Sequence, residues 1–362
     1  MPRLFEPLRL RELILPNRVA VSPMCTYSAG PDGRATDAHL VHLGAFAAGG
    51  AGLVILEATA VAPEGRISPT DLGLWDDAQI APLRRVTDFL HSQGAAAAVQ
   101  LGHAGRKAGV QPRVAPSPVA FDEEHAPLQE LDTDRIRSVV DAFAQAAARA
   151  DRAGFDAVEV HAAHGYLLHQ FLSPLSNHRT DSYGGSFENR VRLVLEVVAA
   201  VREVLPTGKP LLVRLSATDW ADGGWDLSET VKLSRLLKET GVDLVDVSSG
   251  GLVPNAKIPV GPLYQLPFAQ AVKEQVGVAV GTVGIIPGPR KAEEILEGGR
   301  ADLILLGRPF LRDPYWVVHA ADALGVTASW PRPSLRGAPT GSVARESLAA
   351  FTERLRNELE SV

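Results

Sequence analysis

Gly154-Phe155-Asp156-Ala157-Val158-Glu159-Val160-His161-Ala162-Ala163-His164-Gly165-Tyr166 passes from a glycine through a short apolar run into two histidines and a tyrosine. The run is nearly continuous rather than alternating, which fits a parallel strand covered on both faces. Gly154 stands where a helix C-terminal glycine belongs, just ahead of that strand. A helix end, a buried strand and a polar turn are thus predicted in one short segment.

Moving outward, the same unit recurs. Eight such runs lie at residues 17–24, 52–61, 96–100, 155–161, 210–215, 243–249, 278–283 and 302–307, each followed by glycine or a polar residue. Between them, apolar periodicity predicts helices over 38–48, 80–93, 135–153, 187–205, 228–240, 266–275 and 290–297. Asp132-Thr133-Asp134 supplies an N-cap and an acidic first turn, and Gly241 and Gly298-Gly299 mark helix ends. Strands alternating with helices in this number predict an α/β fold, the (β/α)8 TIM barrel. A doubly wound open sheet is the second option. Against it, no Gly-x-Gly-x-x-Gly follows the first strand, which runs into Ser22-Pro23-Met24-Cys25 instead.

The chain has 362 residues, enough for one or two domains, and a barrel with insertions reaches that size alone. Its 46% hydrophobic content excludes disorder, and a single Cys excludes an internal disulfide, a four-thiolate zinc site and a Cys-ligated iron–sulfur cluster. A net charge of −6 weighs against nucleic acid or an anionic membrane surface as the main partner. Neither a signal peptide nor a membrane span is readable, so a cytoplasmic protein is expected.

In barrels the site is built at the C-terminal ends of the strands. Those ends collect polar and glycine chemistry, and two long loops, residues 105–133 and 166–186, are expected as lids or binding loops. Gly281, Gly284 and Gly307 allow close backbone approach to a ligand, and Arg308 adds a fork for a phosphate; tight βα turns explain the glycines equally well. If a helical turn begins at His161, then His161 and His164 project to one side and can donate to one oxygen or bind a metal. The metal reading requires further ligands, such as His-x-His after strand one, and these are missing from the sequence. Tyr166 reads as packing or as an acid. Gln100 and Arg214, near the ends of apolar strands, suit the edge of a heterocycle with mixed hydrogen-bonding needs, or pair with other buried polar groups. Cys25 reads as a small core residue or a functional one at the barrel mouth; no base is positioned for it.

At these residues the sequence resembles the Old Yellow Enzyme family. The resemblance is carried by Ser22-Pro23-Met24-Cys25-Thr26-Tyr27, by the His161 to Tyr166 run, and by Ser176-Asn177-His178-Arg179-Thr180-Asp181-Ser182-Tyr183-Gly184-Gly185-Ser186-Phe187-Glu188-Asn189-Arg190. Cys25 and the His-x-x-His pair resemble its thermophilic-like bacterial branch. The resemblance implies a barrel that holds FMN non-covalently and no metal. It implies reduction of activated alkenes, α,β-unsaturated carbonyl or nitro compounds, with NAD(P)H, NADPH favoured, by a ping-pong mechanism. By position, Ser22, Pro23, Met24, Cys25, Ala58 and Gln100 would line the flavin, with Cys25 tuning its redox behaviour. Arg214 would sit at the N1/O2 edge, and Gly284, Gly307 and Arg308 would hold the phosphate. His161 and His164 would bind the substrate oxygen with help from Tyr27. Hydride would pass from flavin N5 to the β-carbon, and Tyr166 would protonate the α-carbon.

The C-terminus departs from the family pattern. A Gln-Tyr-x-Arg-Gly segment, whose Arg reaches a neighbouring subunit's site, is represented by Pro333-Ser334-Leu335-Arg336-Gly337. The resemblance therefore implies a homodimer or homotetramer, with Arg336 binding a partner's substrate. Leu348, Phe351, Leu355 and Leu359 recur at helical spacing. The expected organisation is a barrel over 1–325 and a C-terminal extension over 326–362, ending in a helix at a subunit contact.

Overall fold

The eight apolar runs fold as parallel strands that close on one another in the computed structural model, which describes residues 1–125 and 128–360. They are β1 (Val19–Val21), β2 (Leu53–Ala60), β3 (Ala96–Gly102), β4 (Ala157–Ala162), β5 (Leu211–Ser216), β6 (Leu244–Ser248), β7 (Ala279–Thr282) and β8 (Leu303–Leu306). Neighbours in sequence are neighbours in the barrel, and β8 pairs with β1 to close it. This is the (β/α)8 TIM barrel.

The predicted helices form at nearly the predicted bounds: α1 (Asp37–Ala48), α2 (Ile80–Ser92), α3 (Thr133–Arg152), α5 (Phe187–Val204), α6 (Leu227–Glu239), α7 (Leu266–Val276) and α8 (Pro289–Glu297). Asp132 caps α3, its side chain accepting from the Arg135 N–H at 2.8 Å. Between α3 and α5 lies α4 (Leu167–Leu172), a helix inside the segment expected as loop. All six of its residues are buried, so no polar face betrays its period. The first strand is shorter than its apolar run. Asn17 turns its side chain to Gly50 O and the Val19 N–H, and Pro23, lacking a donor, stops the ladder.

Side chains alternate across each strand. One set, including Val54, Val99, Val158, Val213 and Val245, packs outward with the helices. The other set points into the barrel, where Ala20, Leu53, Ile55, Ala98, Leu212 and Leu305 fill the lower layers. An antiparallel hairpin (Leu8–Leu10 with Leu13–Leu15) closes the floor, and Leu348 joins the same cluster. One step further along the strands, the inward positions become Gln100, Glu159, Arg214 and Asp246. Apolar below and polar above, this gradient places the chemistry at the C-terminal mouth.

After β8 come α9 (Arg308–Arg312), α10 (Trp316–Ala323) and the extension, which ends in α11 (Leu348–Glu360). Arg345 fastens the extension to its own barrel, donating to Ala47 O and Ala48 O at the end of α1 and to Ser329 O. The side chain of Leu359 lies outside the described residues. Among the described residues, no helix is long and apolar enough to cross a membrane.

Candidate active site

The turn after β4 carries the densest chemistry. It is not the start of a helix: His164 takes φ 58° and Gly165 φ 73°, a left-handed turn that precedes α4. That turn nevertheless brings three rings together. The His161 ring lies 5.2 Å from His164 and 5.1 Å from Tyr166, both edge-on. Gly165 is required here, since a Cβ would fall 2.2 Å from Gly251 O.

Four polar side chains hold the turn. His164 N–H donates to Ser216 Oγ at 2.9 Å, and Lys107 Nζ donates to His164 O at 2.9 Å. Gly165 N–H donates to His169 Nδ1, whose Nε2 lies 2.9 Å from Asp219, both side chains being fully buried. Gln170 donates to Gly165 O and Ala104 O and accepts from the Arg106 N–H. α4 therefore serves as the clamp of the turn that displays His161, His164 and Tyr166.

Burial, reinforced by the nearby Arg214 charge, drives the pKa of His161 and of His164 well below the ordinary imidazole value. Both rings are neutral. Ala163 N–H approaches His161 Nδ1 at 3.3 Å, which leaves the ring proton on Nε2 as a donor. His164 Nε2 lies 2.8 Å from Ser248 Oγ, whose own proton points to Gln265. Burial also pushes the Tyr166 phenol above its usual value, so it stays protonated. Lys107 Nζ stands 5.0 Å from the Tyr166 ring centre, its pKa lowered to about 8 by burial and by Arg106.

Below the rings, Gln100 Nε2 donates to Glu159 Oε1 at 2.7 Å, and Arg214 Nη2 donates to Ser22 Oγ at 3.2 Å. Arg214 Nε sits 3.0 Å from Asp246 Oδ2. The structure shows the pairing alternative, and it sets these side chains at inward positions next to the mouth. Cys25 follows Ser22-Pro23-Met24 on the loop after β1; burial, then Asp71 and Glu57, push its thiol up to about 12. The loop is pinned by Glu57, which accepts from Thr26 N–H at 3.0 Å and Thr26 Oγ1 at 2.6 Å, with His39 against it at 3.2 Å. Tyr27 stands exposed at the rim. Gly284, φ 118°, and Gly307 end the β7 and β8 turns beside an exposed Arg308.

The sequence matches the NADH:flavin oxidoreductase / NADH oxidase family over residues 3–325. The chain belongs to that family. It is 50% identical over 334 residues to the NADPH dehydrogenase of Listeria innocua, spanning 92% of this chain and 98% of the relative. The NADPH dehydrogenase of Bacillus subtilis is 47% identical, spanning 92% and 99%. Among solved structures, morphinone reductase in complex with tetrahydroNAD superposes with a TM-score of 0.76 at 33% identity, over 92% of this chain and 94% of that one. The old yellow enzyme homologue from Zymomonas mobilis gives 0.76 at 28% identity, over 90% and 94%. The protein is thus an oxidoreductase of the Old Yellow Enzyme type.

The mouth of this family member suits a flavin. A planar heterocycle with donors and acceptors around its edge needs mixed polar partners beside an apolar face. Gln100, Arg214 and Ser22 supply the first, and Ala58, Met24 and the neutral Cys25 the second. Gly284 keeps the β7 turn open, since a Cβ there would fall 2.8 Å from Gln265 Nε2. The loops after the strands set Ser22 to Cys25, Tyr27, Ala58, Gln100, His161, His164, Tyr166, Arg214, Gly284, Gly307 and Arg308 at the C-terminal end of the barrel, while Arg336, expected at a neighbouring subunit's site, stands exposed on the turn Arg332–Gly337 of the extension. Sequence reasoning missed Lys107, His169, Asp219, Glu57, Glu159 and Asp246. Two of these carried a signal: Glu159 and Asp246 each interrupt an apolar strand, between valines, at an inward position.

Proposed function

We propose that this enzyme is an ene-reductase that binds FMN non-covalently and reduces the C=C bond of α,β-unsaturated carbonyl or nitro compounds, with NADPH as the favoured donor. The observation that carries the reading is the cluster of two neutral imidazoles and one protonated phenol above a Gln–Arg polar layer. Ser22, Pro23, Met24, Cys25, Ala58, Gln100 and Arg214 would hold the isoalloxazine, and Gly284, Gly307 and Arg308 its phosphate. Bound there, FMN would accept hydride from NADPH and return it to the β-carbon of the alkene.

The protein's own part is orientation and proton delivery. His161 Nε2–H and the His164 ring, exchanging Ser248 for the substrate, donate to the carbonyl or nitro oxygen as negative charge grows there. Each such preorganised donor stabilises the transition state by about 3 kcal/mol. Because both rings are neutral, they donate without giving up a proton. Tyr166 keeps its proton until the α-carbon needs one, and Lys107 above its ring steadies the phenolate that remains. Tyr27 closes over the substrate at the rim. In a homodimer or homotetramer, Arg336 would reach a neighbour's substrate.

The test is anaerobic. NADPH should bleach the flavin absorbance of the purified yellow protein, and cyclohexenone should restore it. A colourless protein, or a bleached one that only oxygen restores, overturns the reading.

A further inference from the structure

Beside two of the polar side chains proposed to hold the flavin stands a buried carboxyl group: Glu159 next to Gln100, and Asp246 next to Arg214. Both acids are fully buried, and three of their four oxygens, Glu159 Oε2 and both Oδ atoms of Asp246, have no hydrogen-bond partner. Asp246 lies within ion-pair distance of Arg214 Nε, but off the direction a hydrogen bond requires. The inward groups around this layer are Ser22 just past β1, Gln100 on β3, His161 on β4 and Arg214 on β5. Glu57 on β2 is already engaged by Thr26 and His39. With His161 neutral, Arg214 is the cation facing two acids. Fully ionised, the layer would carry an uncompensated negative charge away from water, a state of several kcal/mol. One proton on the pair restores neutrality.

We propose that Glu159 and Asp246 act as one buried acid holding a single proton beside Gln100 and Arg214, and that flavin reduction returns this proton to the pair in alkaline solution, where solvent has removed it. The proposal rests on the flavin reading above. Burial and the Asp246 charge push Glu159 up to about 8, and burial raises Asp246 against the pull of Arg214. Two electrons delivered to the bound cofactor add negative charge beside Arg214, which strengthens the pair's hold on its proton. Above about pH 8 the oxidised form has lost that proton to solvent, so reduction draws one H⁺ back with the two electrons. Glu159 and Asp246 are positioning residues; Gln100 and Arg214 touch the cofactor.

Two readouts test this on the holoenzyme. Infrared spectra at neutral pH should show the C=O stretch of a buried protonated carboxylic acid, titrating away above about pH 8 and absent from Glu159→Gln. The flavin reduction potential of the wild type, followed against pH, should steepen in that range by one proton per two electrons. Glu159→Gln should lack the break, and Asp246→Asn should move it to lower pH, because a lone carboxyl opposite Arg214 ionises more readily. Absence of a variant-sensitive band in the wild type overturns the proposal, as do parallel potential profiles for wild type and Glu159→Gln. If no flavin binds, the functional reading fails, while the infrared titration still judges the acid pair.

Discussion

At the scale of single residues, burial keeps His161, His164, Tyr166 and Cys25 in their uncharged forms. The ordinary imidazole value is about 6.5, and both His161 and His164 fall well below it in the fold. A depressed histidine contributes stability that is present above about 6.5 and lost as pH falls toward its folded value. Binding of a carbonyl ligand to the holoenzyme should therefore be flat from about pH 7.5 to pH 6.5 and weaken in more acid solution. A midpoint inside the flat range, read by flavin-absorbance titration, would contradict neutral imidazoles. His161→Ala should lower kcat/KM for an enone by about 10²- to 10³-fold. Cys25 follows the same logic. With its thiol raised from 9.0 to about 12, iodoacetamide should alkylate it about a thousandfold more slowly than a free thiol near neutral pH. Alkylation at the rate of free cysteine would show that burial and the flanking carboxylates do not hold the proton.

Among the elements, α4 decides the geometry. Its His169 and Gln170 bind the backbone of Gly165, and Gly165 occupies a left-handed conformation with no room for a Cβ. Gly165→Ala should cost about 1–2 kcal/mol for the conformation alone, with more for the contact, and lower turnover by misplacing Tyr166. Chemical denaturation together with steady-state rates checks both; full activity would mean the turn tolerates the displacement. α4 was also where the sequence was hardest to read. Strands and long helices announce themselves through apolar runs, caps and glycines, which is why the barrel and seven helices were legible to within a few residues. Leu167 to Leu172 is buried all round and too short to reveal a period. His161 and His164 were readable as a pair, but their meeting through a left-handed turn depends on Lys107, Ser216 and Gly251, which arrive from other parts of the chain. The same holds for Arg214: its partner Asp246 is adjacent only through strand pairing. The roles proposed for Cys25 and Tyr166 rest on family resemblance, not on spacing.

For the whole molecule, the barrel separates stability from chemistry along its axis. The lower layers and the hairpin form a dry floor, and the extension lies under it, held by Arg345 and Leu348. Arg345→Ala strips the last carbonyls of α1 of a charged donor and should destabilise the protein by about 2 kcal/mol, measured by denaturant unfolding, with kcat unchanged. A loss of activity at full stability would instead tie the extension to the mouth. At that mouth, Tyr166 is proposed to deliver the proton that completes alkene reduction. Stopped-flow measurement of the two half-reactions tests it most directly. Tyr166→Phe should leave flavin reduction by NADPH near the wild-type rate and slow reoxidation by cyclohexenone by about 10²-fold or more. Equal slowing of both halves, or neither, would contradict the claim.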